Sequence, residues 1–184
     1  MLIGLVGKNG AGKTSVAEYL IKKGFSFYSL SDIVREEAAK KQLPLTRENL
    51  ITTGNELKMT QGETVLAEKT WAKALFENHA NLVFDSIRNI AEVEFLKQKG
   101  AIIIGVDAPI ELRYQRIQKR KRTSDQLDFE TFVKLEEQES TGQSFGQNLN
   151  AVFKRIDFPI HNDSSPDALQ QKIEEVLTAI KVSV

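Results

Sequence analysis

The chain of 184 residues contains no cysteine and only two histidines. Without cysteine it can form no disulfide, no thiolate metal site and no cysteine nucleophile. This composition fits a reducing compartment, so we predict a cytoplasmic protein. The two histidines, His79 and His161, lie far apart in the sequence and have no ligand partners nearby. We therefore expect no histidine metal site.

An excess of charge of one sign is also absent, because lysine and arginine together number 25 and so do aspartate and glutamate. A balanced charge provides no net field that would attract nucleic acid or an anionic membrane. We therefore expect neither of them as a partner, although basic residues can still cluster locally.

Long apolar runs, repeats and low-complexity tracts are missing as well. The longest apolar runs, such as residues 101–106, are too short to span a bilayer. The apolar residues 2–6 follow Met1 without a basic region or a processing site, and so predict a strand rather than a signal peptide. No linker rich in Pro, Gly or Ser divides the chain. We therefore expect residues 1–184 to form one soluble domain.

Short apolar segments that alternate with amphipathic segments predict an α/β fold. We predict strands at residues 2–6, 25–29, 81–85, 101–106 and 156–161, with helices between and after them. This alternation predicts a five-stranded parallel sheet with helices on both faces. Two connections, residues 31–80 and 121–154, are longer than a crossover needs, and inserts at the carboxyl ends of strands commonly handle substrates.

Capping residues predict where several helices begin. Ser31 is predicted to cap a helix that runs to about Lys41, and Thr46 to cap a second helix that runs to about Gln61. Pro109 is predicted to open the helix after the fourth strand. Residues 140–150 are polar and contain glycine, so we expect a loop there.

The most specific motif follows the first predicted strand. Residues 7–14 read Gly-Lys-Asn-Gly-Ala-Gly-Lys-Thr, a complete match to the phosphate-binding loop G-x-x-x-x-G-K-[ST], or P-loop. Its glycines let the backbone curl around phosphate oxygens, and its N–H groups form an anion cradle with the following helix N-terminus. Lys13 adds positive charge for the β- and γ-phosphates, and the Thr14 hydroxyl can bind Mg²⁺. We therefore predict that ATP and Mg²⁺ are bound by Gly7, Lys8, Asn9, Gly10, Ala11, Gly12, Lys13, Thr14 and Ser15.

Other motifs narrow the class of P-loop protein. The guanine-reading motif Asn-Lys-x-Asp does not occur, and Asp85-Ser86-Ile87-Arg88 stands after the third strand in place of the Asp-x-x-Gly of a GTPase switch. Large mechanochemical ATPases need a longer chain. A small kinase is the class that remains. Asp85, at the end of a buried strand, is placed to hold a Mg²⁺-bound water.

Four segments, taken in order, resemble adenylate-kinase-type nucleoside monophosphate kinases. They are Ser31-Asp32-Ile33-Val34-Arg35-Glu36, Asp85-Ser86-Ile87-Arg88, Val106-Asp107-Ala108-Pro109-Ile110-Glu111-Leu112 with the later Arg116 and Arg120, and His161-Asn162-Asp163-Ser164. The second segment resembles the family's Asp-Gly-x-x-Arg and the Asp-Gly-Ile-Arg of uncharacterised archaeal relatives. The resemblance covers nearly the whole chain. It implies phosphoryl transfer from ATP to a nucleoside or deoxynucleoside monophosphate. It also implies a core of residues 1–30, 81–120 and 155–184, an acceptor-binding insert of residues 31–80 and a lid of residues 121–154.

The resemblance also implies roles for single residues. It assigns the acceptor phosphate to Arg35 and Arg88, and planar guanidinium groups do bind phosphate bidentately. It assigns the ATP base to Arg116 and to the backbone of Asn162, and the transferring phosphates to Arg120. Lys13, Arg88, Arg120, Asp85 and Asp32 are then the predicted catalytic set, with Thr14 and, through water, Asp85 on the metal.

Several of these roles have a structural alternative in the sequence itself. Arg35 can instead be a solvated arginine on a helix face, paired with Glu36 or a neighbour, and Asp85 can instead initiate a helix. Asp32 either stabilises the dipole of a helix N-terminus or contacts a Mg²⁺-bound water or an acceptor hydroxyl. Arg113, Arg116 and Arg120 share one helix face, where like charges repel unless an anion lies among them. The alternative for this basic face is a solvated surface balanced by the acidic residues near Glu136.

One departure from the family pattern keeps other functions open. Adenylate kinases carry further arginines beyond the lid, but residues 123–153 contain none. The chain also resembles dephospho-CoA kinase around the fourth strand and at its C-terminus, and in that function Asp32 would be the general base for a ribose hydroxyl. A regulatory module that binds ATP without turnover is the alternative from another class.

Overall fold

The computed structural model describes residues 1–120, 128–141 and 148–183. Its five strands form one parallel sheet in the order β2-β3-β1-β4-β5. The strands are β1 (Leu2–Gly7), β2 (Ser26–Ser29), β3 (Leu82–Asp85), β4 (Ala101–Asp107) and β5 (Phe158–His161). This sheet, covered by helices on both faces, confirms the predicted α/β P-loop fold class.

The described residues form nine helices around this sheet. They are α1 (Lys13–Lys22), α2 (Leu30–Lys40), α3 (Arg47–Gln61), α4 (Val65–Glu77), α5 (Ile90–Gln98), α6 (Ile110–Lys119), α7 (Phe129–Thr141), α8 (Leu149–Phe153) and α9 (Pro166–Ser183). Thr46 caps α3 as predicted, because its side chain accepts a hydrogen bond from the Asn49 N–H. No helix in the part of the chain described here has the length and apolar character that crossing a bilayer requires.

The central strand β1 explains why the sheet is covered on both sides. All six of its residues are buried. Ile3 and Leu5 face a core cluster that includes residues of α1 and α9, whereas Leu2 and Val6 face a second cluster that includes residues of α2 to α5 and α8. Burying one such side chain contributes about 1.5–3 kcal/mol. The carboxyl end of β1 therefore has a rigid base, and the P-loop leaves from it.

The start of α2 differs from the prediction. The helix begins at Leu30, one residue after β2 ends, and its N-cap is Ser29 rather than Ser31. Ser29 is still extended and pairs in register with Asp85 of β3. Because strand pairing continues to Ser29, no loop residue is left between strand and helix, and Ser31 lies inside the first turn.

The second difference is α8, which occupies part of the region expected to be a loop. Its N-cap Asn148 accepts a hydrogen bond from the Ala151 N–H at 3.0 Å. Val152 is fully buried in the same core cluster as Leu2 and Val6. A helix of five residues offers too few positions for a periodic apolar pattern, so no pattern in the sequence predicts it.

The region 31–80 consists of α2, α3 and α4 and the segments between them. The only tryptophan of the sequence, Trp71 on α4, is half-buried and packs edge-on against Phe84 of β3, with ring centroids 6.4 Å apart. Within the predicted lid region, residues 128–141 and 148–154 are described. The rest of that region, residues 121–127 and 142–147, lies outside the described residues.

Candidate active site

The P-loop packs so closely against its neighbours that two of its glycines have no room for a side chain. Gly10 and Gly12 have φ of 78° and 105°, the left-handed region that other residues adopt at a cost. A Cβ on Gly12 would lie 2.1 Å from Nδ2 of Asn162, and one on Gly10 would lie 2.6 Å from the carbonyl oxygen of Arg113. Both glycines are therefore required by conformation and by contact.

Asn162, just after β5, binds the back of the P-loop. Its side-chain Nδ2 donates to the Ala11 carbonyl at 2.8 Å, and its backbone N–H donates to the Asp107 carbonyl at 2.7 Å. The side chain is buried, with the residue only 6% exposed. The sequence predicted a backbone contact of Asn162 with the ATP base. It missed this side-chain bond, because the partner is a backbone carbonyl whose position only the fold defines.

Arg116 on α6 closes the same corner. Its Nη2 donates to the carbonyl oxygen of Asn162 at 2.9 Å, and its Nη1 lies 3.4 Å from the Ala11 carbonyl. Burial, with a smaller contribution from the charge of Arg120, lowers the pKa of the Arg116 guanidinium. Arg120 is exposed at the C-cap of α6. Arg116 is thus in contact with the P-loop, and Arg120 lies near Arg116 and is open to solvent.

Arg113 is the third side chain behind the P-loop, and it does not belong to an exposed basic face. It is only 2% exposed, and its Nε donates to the Ala108 carbonyl at 2.8 Å. Its guanidinium forms a two-pronged ion pair with Glu136 of α7. The expectation that Arg113, Arg116 and Arg120 form one exposed or anion-binding face is therefore wrong for Arg113, because Arg113 is buried; the balancing of its charge by Glu136, which the alternative predicted, is confirmed.

Glu136 also joins the predicted lid region to the P-loop. Lys8 Nζ lies 3.2 Å from Glu136 Oε1, and the Glu136 side chain is 11% exposed. Burial alone would raise the pKa of this carboxyl, but hydrogen bonds and charges from Arg113 and Lys8 outweigh it and lower the pKa. Sequence reasoning named Glu136 only as a balancing surface charge, since a pair between α6 and α7 has no local signature.

The mouth of the P-loop is the N-terminus of α1. In the described part of the chain this helix has no side-chain cap and no acidic residue in its first turn, so its positive end is left for an anion. Lys13 Nζ donates to the carbonyls of Gly7 at 2.6 Å and Lys8 at 3.2 Å. Thr14 and Ser15 are exposed at the same end. These groups fit a polyphosphate.

Asp85 lies at the end of β3, which is hydrogen-bonded to β1 on one side and β2 on the other. Its Oδ1 is buried and has no hydrogen-bond partner among the described residues. A buried carboxylate oxygen without a partner is costly. This oxygen fits a second-shell contact to a hydrated Mg²⁺, an ion that keeps much of its water when proteins bind it.

The two predicted acceptor arginines come from neighbouring strand ends and are both solvent-accessible. Arg35 Nη1 donates to Ser31 Oγ at 2.6 Å and to Asp32 Oδ1 at 2.8 Å. The Arg35 and Asp32 side chains are 48% and 53% exposed. Arg88 is exposed three residues past β3, and its carbonyl accepts a hydrogen bond from the Asn148 N–H at 3.2 Å.

The loop that carries Arg88 rests on a buried carboxylate that sequence reasoning missed. Glu92 is 1% exposed, and its Oε2 accepts from the N–H groups of Arg88 at 2.8 Å and Asn89 at 3.3 Å. Lys58 of α3 lies 3.6 Å from its Oε1. Burial raises the pKa of Glu92, with Lys58 and the two N–H groups opposing that effect. The pattern Asn89-x-x-Glu92 before an apolar run is a capping-box signal that could have revealed it.

Relatives of the chain were found by sequence. Residues 3–142 match the family model described as AAA domain. A UPF0200/UPF0201 protein of Archaeoglobus fulgidus is 32% identical over 100% of this chain, which spans 57% of the relative's length. A UPF0200 protein of Thermococcus gammatolerans is 31% identical over 98% of this chain and 95% of its own length.

Solved structures share the fold. TT1252 from Thermus thermophilus has a TM-score of 0.64 and 21% identity, over 100% of this chain and 97% of that chain. Shikimate kinase from Acinetobacter baumannii, in complex with shikimate, has a TM-score of 0.60 and 20% identity, over 99% and 93%. At these identities the likeness concerns the fold, and it confirms a P-loop kinase-like architecture. Together with the sequence matches, it shows that the chain belongs to the AAA domain family, within the P-loop kinase-like fold, and is related to the archaeal UPF0200 proteins.

Proposed function

We propose that this protein transfers the γ-phosphoryl group of ATP, bound with Mg²⁺, to a nucleoside or deoxynucleoside monophosphate. The observation that carries the proposal is the register between β2 and β3, in which Ser29 pairs with Asp85. This register brings α2, with Arg35, and the loop after β3, with Arg88, to the sheet edge from which the P-loop leaves. A P-loop kinase-like fold with two arginines at that edge favours a phosphorylated acceptor.

The donor nucleotide would be held by the P-loop and α6. Backbone N–H groups of residues 7–15 and Lys13 would bind the β- and γ-phosphates. Arg116 would lie against the base, and Arg120, which is exposed, can turn toward the phosphates. Thr14 and, through water, Asp85 would hold Mg²⁺, which neutralises phosphate charge when bound.

The acceptor would be held by Arg35 and Arg88, with Asp32 beside Arg35. An acceptor phosphate is already nucleophilic, so the site needs no strong general base. Positioning and charge neutralisation then supply most of the catalysis. The contact of Asp32 with Arg35 fixes the direction of that guanidinium and leaves its remaining donors for a phosphate.

We also propose that residues 31–80 are an acceptor-binding insert and residues 121–154 a lid, around a core of residues 1–30, 81–120 and 155–184. The described part of the lid supports this through Glu136, which contacts Lys8 of the P-loop. Closing of both regions over the substrates would exclude water and suppress ATP hydrolysis.

A second candidate is a kinase that phosphorylates a hydroxyl, of which dephospho-CoA kinase is one type. The observation that favours it is Asp32, a half-exposed carboxylate in the first turn of α2, placed where a general base for a hydroxyl could act. The shikimate kinase that shares this fold is solved in complex with shikimate, a molecule without phosphate, and is consistent with this alternative.

An ADP-release assay separates these candidates. The panel contains AMP, CMP, GMP, UMP, their deoxy forms, dephospho-CoA and shikimate. Turnover of one or more monophosphates supports the proposal. Turnover of dephospho-CoA or shikimate alone, abolished by Asp32→Asn, would replace it with the hydroxyl-kinase function. ATP binding by calorimetry without turnover of any acceptor would indicate a regulatory ATP-binding module.

A further inference from the structure

One residue beside the acceptor arginines has an unfavourable backbone conformation. Ser86, directly after β3, has φ of 66°. The other residues besides glycine with positive φ in the described chain are Gln42 and Asn78, and both lie at helix C-termini, where the left-handed conformation is common. Ser86 follows a strand instead, so no helix end explains its strain, which glycine would avoid.

Ser29 has a second unfavourable feature. It is the N-cap of α2, but within the described residues its side chain makes no capping hydrogen bond. A serine at this position ordinarily accepts a bond from the first turn and stabilises the helix. Its hydroxyl lies instead 2.9 Å from Ser86 Oγ and 2.9 Å from Ser31 Oγ, in a residue only 8% exposed.

These two features meet in one chain of hydrogen bonds that ends on Arg35. Ser31 Oγ accepts from Arg35 Nη1 at 2.6 Å. A guanidinium can only donate, so Ser31 Oγ is the acceptor in that bond. In each of the two serine–serine bonds one hydroxyl donates and the other accepts. This series of hydrogen bonds runs from the loop after β3 to the arginine on α2, and so joins the two elements that carry Arg88 and Arg35.

We propose that Ser86 is a positioning residue for the acceptor site, which acts through Ser29 and Ser31 to fix the guanidinium of Arg35. The inference rests on the acceptor-binding function proposed above for Arg35. Strain concentrated at a functional site has a physical precedent. Here Ser86 is strained and Ser29 lacks its capping bond, and both costs are tied to the hydrogen bond between their hydroxyl groups. Neither residue would form that bond in its locally preferred state.

The test measures the environment of Arg35 directly. The rate at which phenylglyoxal modifies Arg35 is measured by peptide mass spectrometry in the wild type, Ser86→Gly and Ser29→Ala. We expect modification to become about three- to tenfold faster in both variants, because a hydrogen bond of the chain is lost. The melting temperature of Ser86→Gly should equal or exceed that of the wild type, because glycine adopts positive φ without strain.

Gln42→Gly is the matched control, since it relieves a positive φ of 55° at an exposed residue beyond the other end of α2. Its Arg35 modification rate should equal that of the wild type. A wild-type rate in both Ser86→Gly and Ser29→Ala would overturn the proposal. So would an increase in Gln42→Gly as large as in Ser86→Gly, since loss of strain alone would then explain it.

Kinetics separate this inference from the proposed function. With the best monophosphate of the panel, Ser86→Gly should raise the acceptor KM about three- to tenfold and leave the ATP KM unchanged. If Arg35→Ala impairs transfer but Ser86→Gly does not, the positioning inference fails and the proposed function stands. Suppose instead that Arg35→Ala leaves transfer unchanged, while phenylglyoxal modifies Arg35 faster in Ser86→Gly than in the wild type. The acceptor function of Arg35 then fails and the hydrogen-bond chain stands.

Discussion

The P-loop is held from behind by buried side chains, whereas the two arginines proposed to bind the acceptor lie on solvent-exposed parts of the molecule. Asn162 and Arg113, which are 6% and 2% exposed, donate to carbonyls at or beside the P-loop. Arg35 is 48% exposed, and in the described residues its side chain donates to Ser31 and Asp32 of its own helix. The proposed donor side is therefore pre-organised by buried contacts, whereas the proposed acceptor side is pre-organised by contacts that are open to solvent.

The largest expected effect breaks the donor side. Lys13→Ala should lower kcat by about 10³-fold or more, because the ammonium acts on charge that develops in the transition state. Lys22→Ala, at an exposed site on the same helix, should behave as the wild type. ADP release measures kcat, and circular dichroism checks that each variant is folded. Unchanged turnover with Lys13→Ala would remove the P-loop lysine from the mechanism.

The next largest effect is expected from substitutions of the two arginines proposed to bind the acceptor. Arg35→Ala and Arg88→Ala should each lower kcat/KM for the monophosphate by about 2–4 kcal/mol, roughly thirty- to a thousandfold, since each loses a charge-assisted hydrogen-bond pair. Arg88→Lys should restore only part of this loss, because an ammonium lacks the planar fork.

Arg155→Ala removes an arginine that is 56% exposed and pairs with Glu94, so it serves as the control for loss of positive charge. ATP affinity should stay constant throughout this series. A parallel loss of ATP affinity in Arg35→Ala or Arg88→Ala would contradict a division between donor and acceptor sides.

A smaller effect tests whether the back of the P-loop is pre-organised. Asn162→Ala should raise the ATP KM about tenfold and lower stability by about 1–2 kcal/mol, because the Ala11 carbonyl loses its buried donor. Asn150→Ala, at an exposed position of α8, is the control. Steady-state kinetics with varied ATP measure the KM, calorimetry measures the ATP affinity, and thermal unfolding measures the stability. Unchanged ATP affinity would mean that the loop keeps its shape without this bond.

The smallest effect concerns pH. The folded pKa of Glu136 lies below its unfolded value, so its ionised form contributes stability above an unfolded pKa of about 4.3, and that stability is lost as pH falls through the folded pKa. Glu136→Gln should cost about 1–3 kcal/mol at neutral pH. The difference from the wild type should shrink below about pH 4.3.

Glu130→Gln, at an exposed position of the same helix, is the control for this pH series and should follow the wild type at every pH. Thermal unfolding between neutral and acidic pH gives the comparison. The free energies of unfolding of the wild type and Glu136→Gln could instead differ by the same amount at every pH. The ionised Glu136 carboxylate would then not be what stabilises the contact with Arg113 and Lys8.

The sequence predicted the parts of this molecule whose signals are local. The sheet follows from short apolar runs, and the P-loop from a motif in which Gly10 and Gly12 are required by positive φ and by contact with Arg113 and Asn162. The cap of α2 was predicted wrongly because Ser29 and Ser31 are both suitable caps, and only the pairing of Ser29 with Asp85 decides between them.

The contacts that the sequence did not predict are those between elements distant along the chain. The ion pair of Arg113 with Glu136 joins α6 to α7, and that of Lys58 with Glu92 joins α3 to α5. Charged residues on helices are ordinarily solvated, so the local sequence of Lys58, Arg113 and Glu136 does not identify their partners, whereas Glu92 carries the capping-box signal with Asn89. The roles proposed for Arg35 and Arg88 remain predictions that the experiments above address, and the role proposed for Asp85 stays a prediction as well.

The packing of Trp71 against Phe84 provides an intrinsic fluorescence probe. Because the sequence has a single tryptophan, all indole emission comes from α4, at the contact between the insert and the strand that ends in Asp85. A change in how the insert sits on the sheet alters the polarity around that indole. If an acceptor binds against the insert as proposed, stopped-flow fluorescence on the unlabelled wild type would report its arrival as a change in that emission.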